Sequence, residues 1–516
     1  MFAPANTRPV ARRKTAMPMR FASPVRGLDL FSDVAQVEQG FALILENAVC
    51  GSDTVRPRGG SVIRNTGLPG EIRAIMPYRS PSLKLFAIAN NGAADNLYDV
   101  TIGGAVGAAM ITGLAPAIWS FTQFGSSGAS FLVAVAAGNT RRLWDGSAWS
   151  TAPAITGVTV TNLSQVWQHG NRLWFVEQNS LNAWYLAVDA IGGAAIKFPL
   201  VFQRGGSIVA GATWTTDASS TGQSAACLFM SSEGEIAVYE GLDPLTWSIL
   251  GTYFVGKPCG INCFLKTGGD VVVMTEDGMF AMSQVVSLDT AALVNQSVSK
   301  NIRPLWRAAS TATDKTKWQI TRRDNAGYAV VSTPATMFAQ AAQFVINLQT
   351  GAWSTWRGWM TTVFSSFGDE IVFGSIDGKI YNADTGGKDT DGIYSMTILP
   401  PYQSASSRTV TPTLARAIVR SVENFEPQLT AIFDYSMRAP VAPSSGIFVT
   451  QSTWDIAEWD TSEWDGEKEI HDQWQAVYGI GEALSICLQY TFDQIETPDI
   501  DIIRIDASYQ QGDFEV

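Results

Sequence analysis

Residues 171–185 read Asn-Arg-Leu-Trp-Phe-Val-Glu-Gln-Asn-Ser-Leu-Asn-Ala-Trp-Tyr. An apolar run, Leu173 to Val176, meets a polar stretch and then a second run that ends in Trp184 and Tyr185. Two short apolar runs joined by a polar turn describe a β-hairpin. The same unit recurs at 84–99, 131–145, 228–239, 271–280, 328–346 and 371–381. Glu233-Gly234, Asp277-Gly278 and Asp377-Gly378 supply turns in three of them, since glycine reaches positive φ without steric cost.

Spacing turns the hairpins into an architecture. The closing aromatics Tyr98, Trp144, Tyr185, Tyr239 and Phe280 follow one another at intervals of 46, 41, 54 and 41 residues, and Tyr381 closes the last unit. A period near 40–50 residues is that of a propeller blade of four short strands. A blade with two apolar faces is not stable alone and must stack on its neighbours around an axis. The expected fold is all-β: a β-propeller of about six to eight blades, seven by this count, with an additional β platform domain. The stretch 281–327 interrupts the period and predicts one helix. Ser287 or Asp289 would cap it, Leu288, Ala292 and Leu293 would line one side, and Pro304 would end it.

The 516 residues are 46% hydrophobic and only 16% charged, ample material for a core, and the 46 Gly and 17 Trp favour turns and aromatic β packing over helical bundles. Five segments follow from composition and period. Residues 1–26 are an extended basic N-terminal arm, and 27–68 are strands joining the platform domain. Residues 69–398 are the propeller, 399–413 a Pro/Ser/Thr-rich linker, and 414–516 an acidic β platform domain. The arm holds Arg8, Arg12, Arg13, Lys14, Arg20 and Arg26 with no acidic residue. No apolar segment follows its basic residues as in a signal peptide, and no apolar run approaches the roughly 18 residues of a membrane helix.

From Trp454 to the end there are 16 Asp and Glu against Lys468 and Arg504, a net of −14 beside −12 for the whole chain, so the remainder is near +2. That acidic end argues against sequence-specific nucleic-acid binding, which needs clustered Lys and Arg. Within it Trp454-Asp455, Trp459-Asp460 and Trp464-Asp465 recur every five residues, with Trp474 beyond. The spacing fits neither a helix nor a strand. It marks successive turns or short strands, and tryptophans packed at a subunit or domain interface are preferred to an aromatic carbohydrate platform.

Catalytic and metal chemistry finds little to stand on. Cys259 and Cys263 form C-x3-C with no second pair to complete a zinc site, and the five cysteines are no disulfide framework; they read as small buried residues in a reducing compartment. His169 and His471 are the only histidines, and neither lies near a nucleophile motif. Ser375-Ile376-Asp377-Gly378 and Thr275-Glu276-Asp277-Gly278 share only an Asp-Gly turn with the repeated Asp motif of sialidase-type propellers, so a turn role is preferred to a glycosidase carboxylate. The expectation is no catalytic residue, no cofactor and no metal: not an enzyme.

Several stretches, in order, resemble the tail nozzle (tail hub, or tail tube) proteins of short-tailed, podovirus-type bacteriophages. They begin with Gly27-Leu-Asp, Glu46-Asn47-Ala48, Val55-Arg56-Pro-Arg58-Gly59-Gly60 and Thr66-Gly67-Leu68. Asn171 to Val176, Trp184-Tyr185-Leu186, Arg204-Gly205-Gly206-Ser207, Glu233 to Tyr239 and Gly269-Asp270 continue the series, and Trp454 through Trp464 and Ile502 to Tyr509 complete it. The resemblance implies a structural protein of the virion tail, assembled in the host cytoplasm. It would form a homo-oligomer, a hexameric ring, below the portal and its adaptor (head-completion) protein. The ring would form the DNA exit channel, retain packaged viral DNA until ejection and carry a tail fibre or spike. The alternative is a β-propeller that binds or hydrolyses surface polysaccharide. On the nozzle reading, Asp455, Glu458, Asp460, Glu463, Asp465, Glu467 and Glu469 face the channel or its rim, where carboxylates let DNA slide without sticking. Trp454, Trp459, Trp464 and Trp474 are interface residues, mostly buried, and Arg8, Arg12, Arg13 and Lys14 reach an acidic surface of the adaptor.

Overall fold

The computed structural model describes residues 16–80, 82–216, 224–241, 243–323, 325–334, 342–390, 392–405, 409–445, 448–449 and 468–512. Strands hold 51% of the chain and helices 7%, so the protein is all-β, built of many sheets. Each of the seven expected hairpins is present as an antiparallel strand pair.

Six of them sit within successive antiparallel units. Sheet 1 holds Ile72–Tyr78, Lys84–Asn90, Asp95–Asp99 and Ile111–Leu114. Sheet 2 holds Ser120–Ser126, Ala129–Val135, Arg142–Trp144 and Trp149–Ser150, and sheet 3 holds Leu163–His169, Arg172–Glu177, Asn182–Tyr185 and Ile196–Pro199. Sheet 4 runs Ile208–Thr216, Ser224–Ser231, Glu235–Glu240, Ser248–Phe254, while sheet 5 has three strands, Phe264–Thr267, Asp270–Thr275 and Gly278–Ala281. Sheet 6 holds Gln319–Arg323, Tyr328–Ser332, Gln343–Asn347 and Trp353–Trp356. The seventh hairpin belongs to sheet 7, Thr361–Phe367, Glu370–Ser375 and Ile380–Ala383, whose fourth strand is Ser61–Thr66 from far upstream.

Alternation of side chains packs these sheets face to face. In the stretch 171–185, Leu173 and Phe175 join a core with Val133, Val135 and Leu143 of sheet 2. Trp174 and Val176 point the other way, into a core with Cys227, Phe229 and Ala237 of sheet 4. Successive strand residues face opposite sides, so a strand covered on both faces reads as one continuous apolar run. Sheet 1 does the same: Phe86 and Ile88 pack with Leu132 and Trp144 of sheet 2, whereas Leu85, Ala87 and Ala89 pack with Val363 and Val372 of sheet 7. Tyr328 and Val330 of sheet 6 share a core with Phe364 and Phe373 of sheet 7. Full burial of one such large side chain contributes about 1.5–3 kcal/mol.

The region between sheets 5 and 6 differs from expectation. It contains three helices, Met282–Ser287, Thr290–Asn295 and Arg303–Ala312. Asp289 caps the second, accepting from the Ala292 N–H at 2.8 Å. Pro304 sits in the first turn of the third helix and does not end a helix; that turn has no acceptor for the N–H that proline lacks. The Asp277-Gly278 turn is also displaced by one residue, because Gly278 already pairs with Thr275 and the loop residues are Glu276 and Asp277.

The flanks assemble from both ends of the chain. Met17–Ala22 and Val55–Pro57 pair with Ile500–Gln511, which also pairs with Val410–Ser421. Ile44–Glu46 joins Trp353–Trp356 of sheet 6 on one side and Tyr394–Leu399 on the other, and Ala483–Phe492 follows. Ser61–Thr66, expected among the flank strands, pairs instead with Ile380–Ala383: residues 58–60 carry the chain across to sheet 7. Within the expected linker, Gln403–Ser404 pairs with Ala483–Phe492.

Candidate functional site

Two places concentrate polar chemistry, a buried joint and a cavity between sheets. The joint is made by the stretch Val55-Arg-Pro-Arg-Gly-Gly. Arg58 is fully buried, and all its N–H donors are used. Nε donates to Asn47 Oδ1 at 3.0 Å, and the two Nη atoms donate to Asp389 at 2.9 and 2.8 Å and to the carbonyls of Gly59 and Arg357 at 2.8 and 3.0 Å. The guanidinium lies over the rings of Trp359 and Tyr394, at 4.2 and 4.1 Å. Asn47, in the stretch Glu46-Asn47-Ala48, also accepts from the Arg357 N–H at 2.8 Å and donates to the Ser395 carbonyl at 2.8 Å.

Asp384 forms the other half. It accepts from Arg56 at 3.0 Å, from the Gly59 N–H at 2.5 Å, from Arg323 at 2.7 Å and from the Tyr328 hydroxyl at 2.9 Å. Burial would raise its pKa, but Arg56, the Gly59 N–H and Arg323 outweigh that and hold the carboxyl below the usual carboxylate range. The two glycines are needed for close approach: a Cβ on Gly59 would lie 2.4 Å from the Asp384 carbonyl carbon, and one on Gly60 would lie 1.9 Å from the Lys388 oxygen. Flank, sheet 6 and sheet 7 are thus locked by one short stretch.

The cavity has a volume of about 560 Å³ and is lined by the first strand of each of sheets 1 to 7, through Pro77, Phe121, Val166, Ala212, Phe264, Ile320 and Ser365. Among the described residues its charged lining residues are Arg79, Lys266 and Arg322. The sequence reading missed these three. The available signal was polar residues in several first strands, with Gln165, Thr213, Lys266 and Arg322 where second strands carry Val and Phe.

Most sequence-predicted site residues lie outside the described residues: Arg8, Arg12, Arg13 and Lys14 of the arm, Asp455, Glu458, Asp460, Glu463, Asp465 and Glu467, and Trp454, Trp459 and Trp464. Glu469 opens the strand Glu469–His471 and is exposed. Trp474, expected to be mostly buried, is 46% exposed in the single chain; the Arg416 guanidinium lies 4.6 Å over its ring and also pairs with Asp472 and Asp506. It sits beside the strand Gln475–Ala476, beyond which no further strand pairs among the described residues.

The other residues weighed for chemistry are accounted for by structure. His169 is buried against Trp174 and Trp247, and burial pushes its pKa down to about 4. All five cysteines are free and buried, and burial pushes the Cys263 thiol up to about 12. Asp277 pairs with Arg307 and Asp377 with Lys379. Burial would raise Asp377, but hydrogen bonds from Lys379 and Ser375 hold it below the usual range. Among the described residues, no group of three His, Cys, Asp or Glu is arranged to hold a metal ion, and no helix is long and apolar enough to cross a membrane.

No family model and no curated protein matches the chain.

Proposed function

We propose that the chain is a structural component of a short bacteriophage tail: a ring-forming nozzle below the portal and adaptor, with its seven sheets acting as the blades of a β-propeller. The observation that carries this reading is the joint. The stretch Val55 to Gly60, part of the resemblance to tail nozzles, occupies a fully hydrogen-bonded mechanical lock between the flank and two sheets, with no group free for catalysis. Shared cores between sheets 1 and 2, 2 and 3, 3 and 4, 6 and 7, and 7 and 1, together with one cavity touched by all seven first strands, support the propeller. In this reading six copies surround the DNA exit channel, the acidic C-terminal segment lies at the channel or its rim, the basic arm binds the adaptor, and the outer surface carries a fibre or spike. The protein is non-enzymatic and works in the virion.

Light scattering and negative-stain images of the purified full chain test this. The expected result is six-subunit rings or short tubes. A strict monomer at all concentrations that binds or cleaves polysaccharide would replace the nozzle with the lectin or glycosidase reading. Replacing Arg12, Arg13 and Lys14 with Ala should leave the chain folded yet unable to join DNA-filled heads; normal assembly by that variant removes the arm from the account.

A further inference from the structure

We propose that Asn91 is a self-modification site: the Gly92 nitrogen displaces its side-chain amide, at a rate that Asn90 holds down in the folded chain. Asn91-Gly92 is the only Asn-Gly pair in the sequence. It lies in the hairpin loop between Lys84–Asn90 and Asp95–Asp99 of sheet 1, and Asn91 is exposed to water. Glycine brings no Cβ to crowd the nitrogen that must attack, and Gly92 sits at φ +94.

The reaction balances with hydroxide and water alone. Hydroxide removes the Gly92 N–H proton, the nitrogen bonds to Asn91 Cγ, and the bond from Cγ to the side-chain nitrogen breaks, releasing ammonia. Water then opens the cyclic succinimide at either carbonyl, leaving aspartate or isoaspartate. The loop prepares the carbonyl half of this step. Asn91 Oδ1 accepts from the Ala93 and Ala94 N–H groups at 3.0 and 2.8 Å, and negative charge develops on that oxygen as Cγ is attacked. The nitrogen half is held back. Gly92 N–H donates to Asn90 Oδ1 at 2.8 Å, which keeps its proton from hydroxide and fixes the peptide plane. Asn90 is buried and fixed in turn: its Nδ2 donates to Asp95 Oδ1 at 2.7 Å and its N–H to the Glu71 carbonyl at 2.8 Å. Asp95 is fully buried and accepts from Trp119 Nε1 at 3.2 Å, so the restraint is anchored in the core between sheets 1 and 2. Deamidation therefore waits on local opening of the loop, and the new carboxylate records that opening irreversibly. This inference does not depend on the nozzle reading.

Peptide mapping by mass spectrometry tests it on the full chain, incubated folded and in urea at the same mildly alkaline pH. Conversion at Asn91 should be roughly tenfold or more faster in urea than in the folded chain. Asn90→Ala removes one hydrogen bond and should raise the folded-state rate about fivefold, with a similar gain in hydrogen exchange of the Gly92 amide. Exchange along Asp95–Asp99 should stay as it is. Asn90→Ser keeps an oxygen that can accept from the N–H two residues on, and should restore part of the restraint. Equal rates in the folded and unfolded chain overturn the proposal, as does the absence of conversion at Asn91 in both. So does an unchanged rate in Asn90→Ala. A faster rate matched by faster exchange along Asp95–Asp99 also overturns it, because the paired strands rather than Asn90 would then be the restraint.

Discussion

Sheet 3 and the flank sheet around Ile500–Gln511 are built of similar strands yet differ in where those strands come from. All four strands of sheet 3 lie between Leu163 and Pro199. In the flank, Ala22 pairs with Arg504 and Val55 with Ile502. Sheet 3 is held by hairpins and by apolar faces shared with its neighbours. The flank shares an apolar core with sheets 4 to 6 and adds a polar lock, Arg58 with Asp389 and Arg56 with Asp384. Local pairing is cheap in chain entropy, whereas joining distant segments needs contacts that tolerate only one arrangement. A fully satisfied buried ion pair provides that selectivity here, because any other docking leaves a charge buried without its partner.

The sharpest way to break this comparison is Arg58→Met. Removing one member of a buried pair costs about 3–5 kcal/mol. Denaturant unfolding followed by hydrogen exchange should show the loss in Val55–Pro57, Ser61–Thr66 and Ile500–Gln511 before Leu163–Pro199. A change below about 1 kcal/mol, or loss spread evenly over both regions, would mean that the lock is not what holds the flank.

A smaller effect is expected from one substitution made in both regions. Gly60→Ala puts a Cβ against the Lys388 carbonyl and should cost about 1–3 kcal/mol, since backbone must move. Gly170, at the tip of a sheet 3 hairpin, has φ +57 with open space around the new Cβ, so Gly170→Ala should cost only about 1 kcal/mol. Thermal midpoints of the two variants give the ranking directly; the reverse order would sink it.

The mildest probe is acid. Asp384 has a lowered pKa in the folded chain, so its contribution is fully present above its unfolded value, near 4, and is lost as pH falls through the lower folded value. The urea midpoint should therefore drop below about pH 4, with the flank opening first. Asp384→Asn, less stable at pH 7, should show a flatter profile across the same window. Equal slopes for the two proteins would remove Asp384 from the acid response.

These differences also explain what could be read from the sequence. Stretch 171–185 announced its hairpin because its partners are adjacent, and the alternation of Leu173 and Phe175 with Trp174 and Val176 serves two neighbours at once. Ser61–Thr66 carries no sign of its partner, and its sequence neighbours place it with the flank although it pairs with Ile380–Ala383. Arg56 and Arg58 stood out as a motif, but Asp384 and Asp389 looked like ordinary loop acids more than 300 residues away. The cavity cations were illegible for another reason. Arg79 follows a strand of sheet 1, and Lys266 and Arg322 lie on strands of sheets 5 and 6, so only the packing of those sheets brings them to one space.

The late closure of sheet 7 has a consequence for biogenesis. Ser61 leaves the ribosome 322 residues ahead of its register partner Ala383. At about 5–20 residues per second, translation leaves the edge of Ser61–Thr66 that Ile380–Ala383 will take waiting for roughly 15–65 s, open to any passing strand. Sheets 1 to 6 can form in the order they emerge, each on the one before. The final sheet cannot form that way, and Ile500–Gln511, which gathers both flank ends, emerges later still. Nascent chains stalled before Ala383 would be expected to associate through that waiting edge, a hazard of synthesis that the finished molecule does not carry.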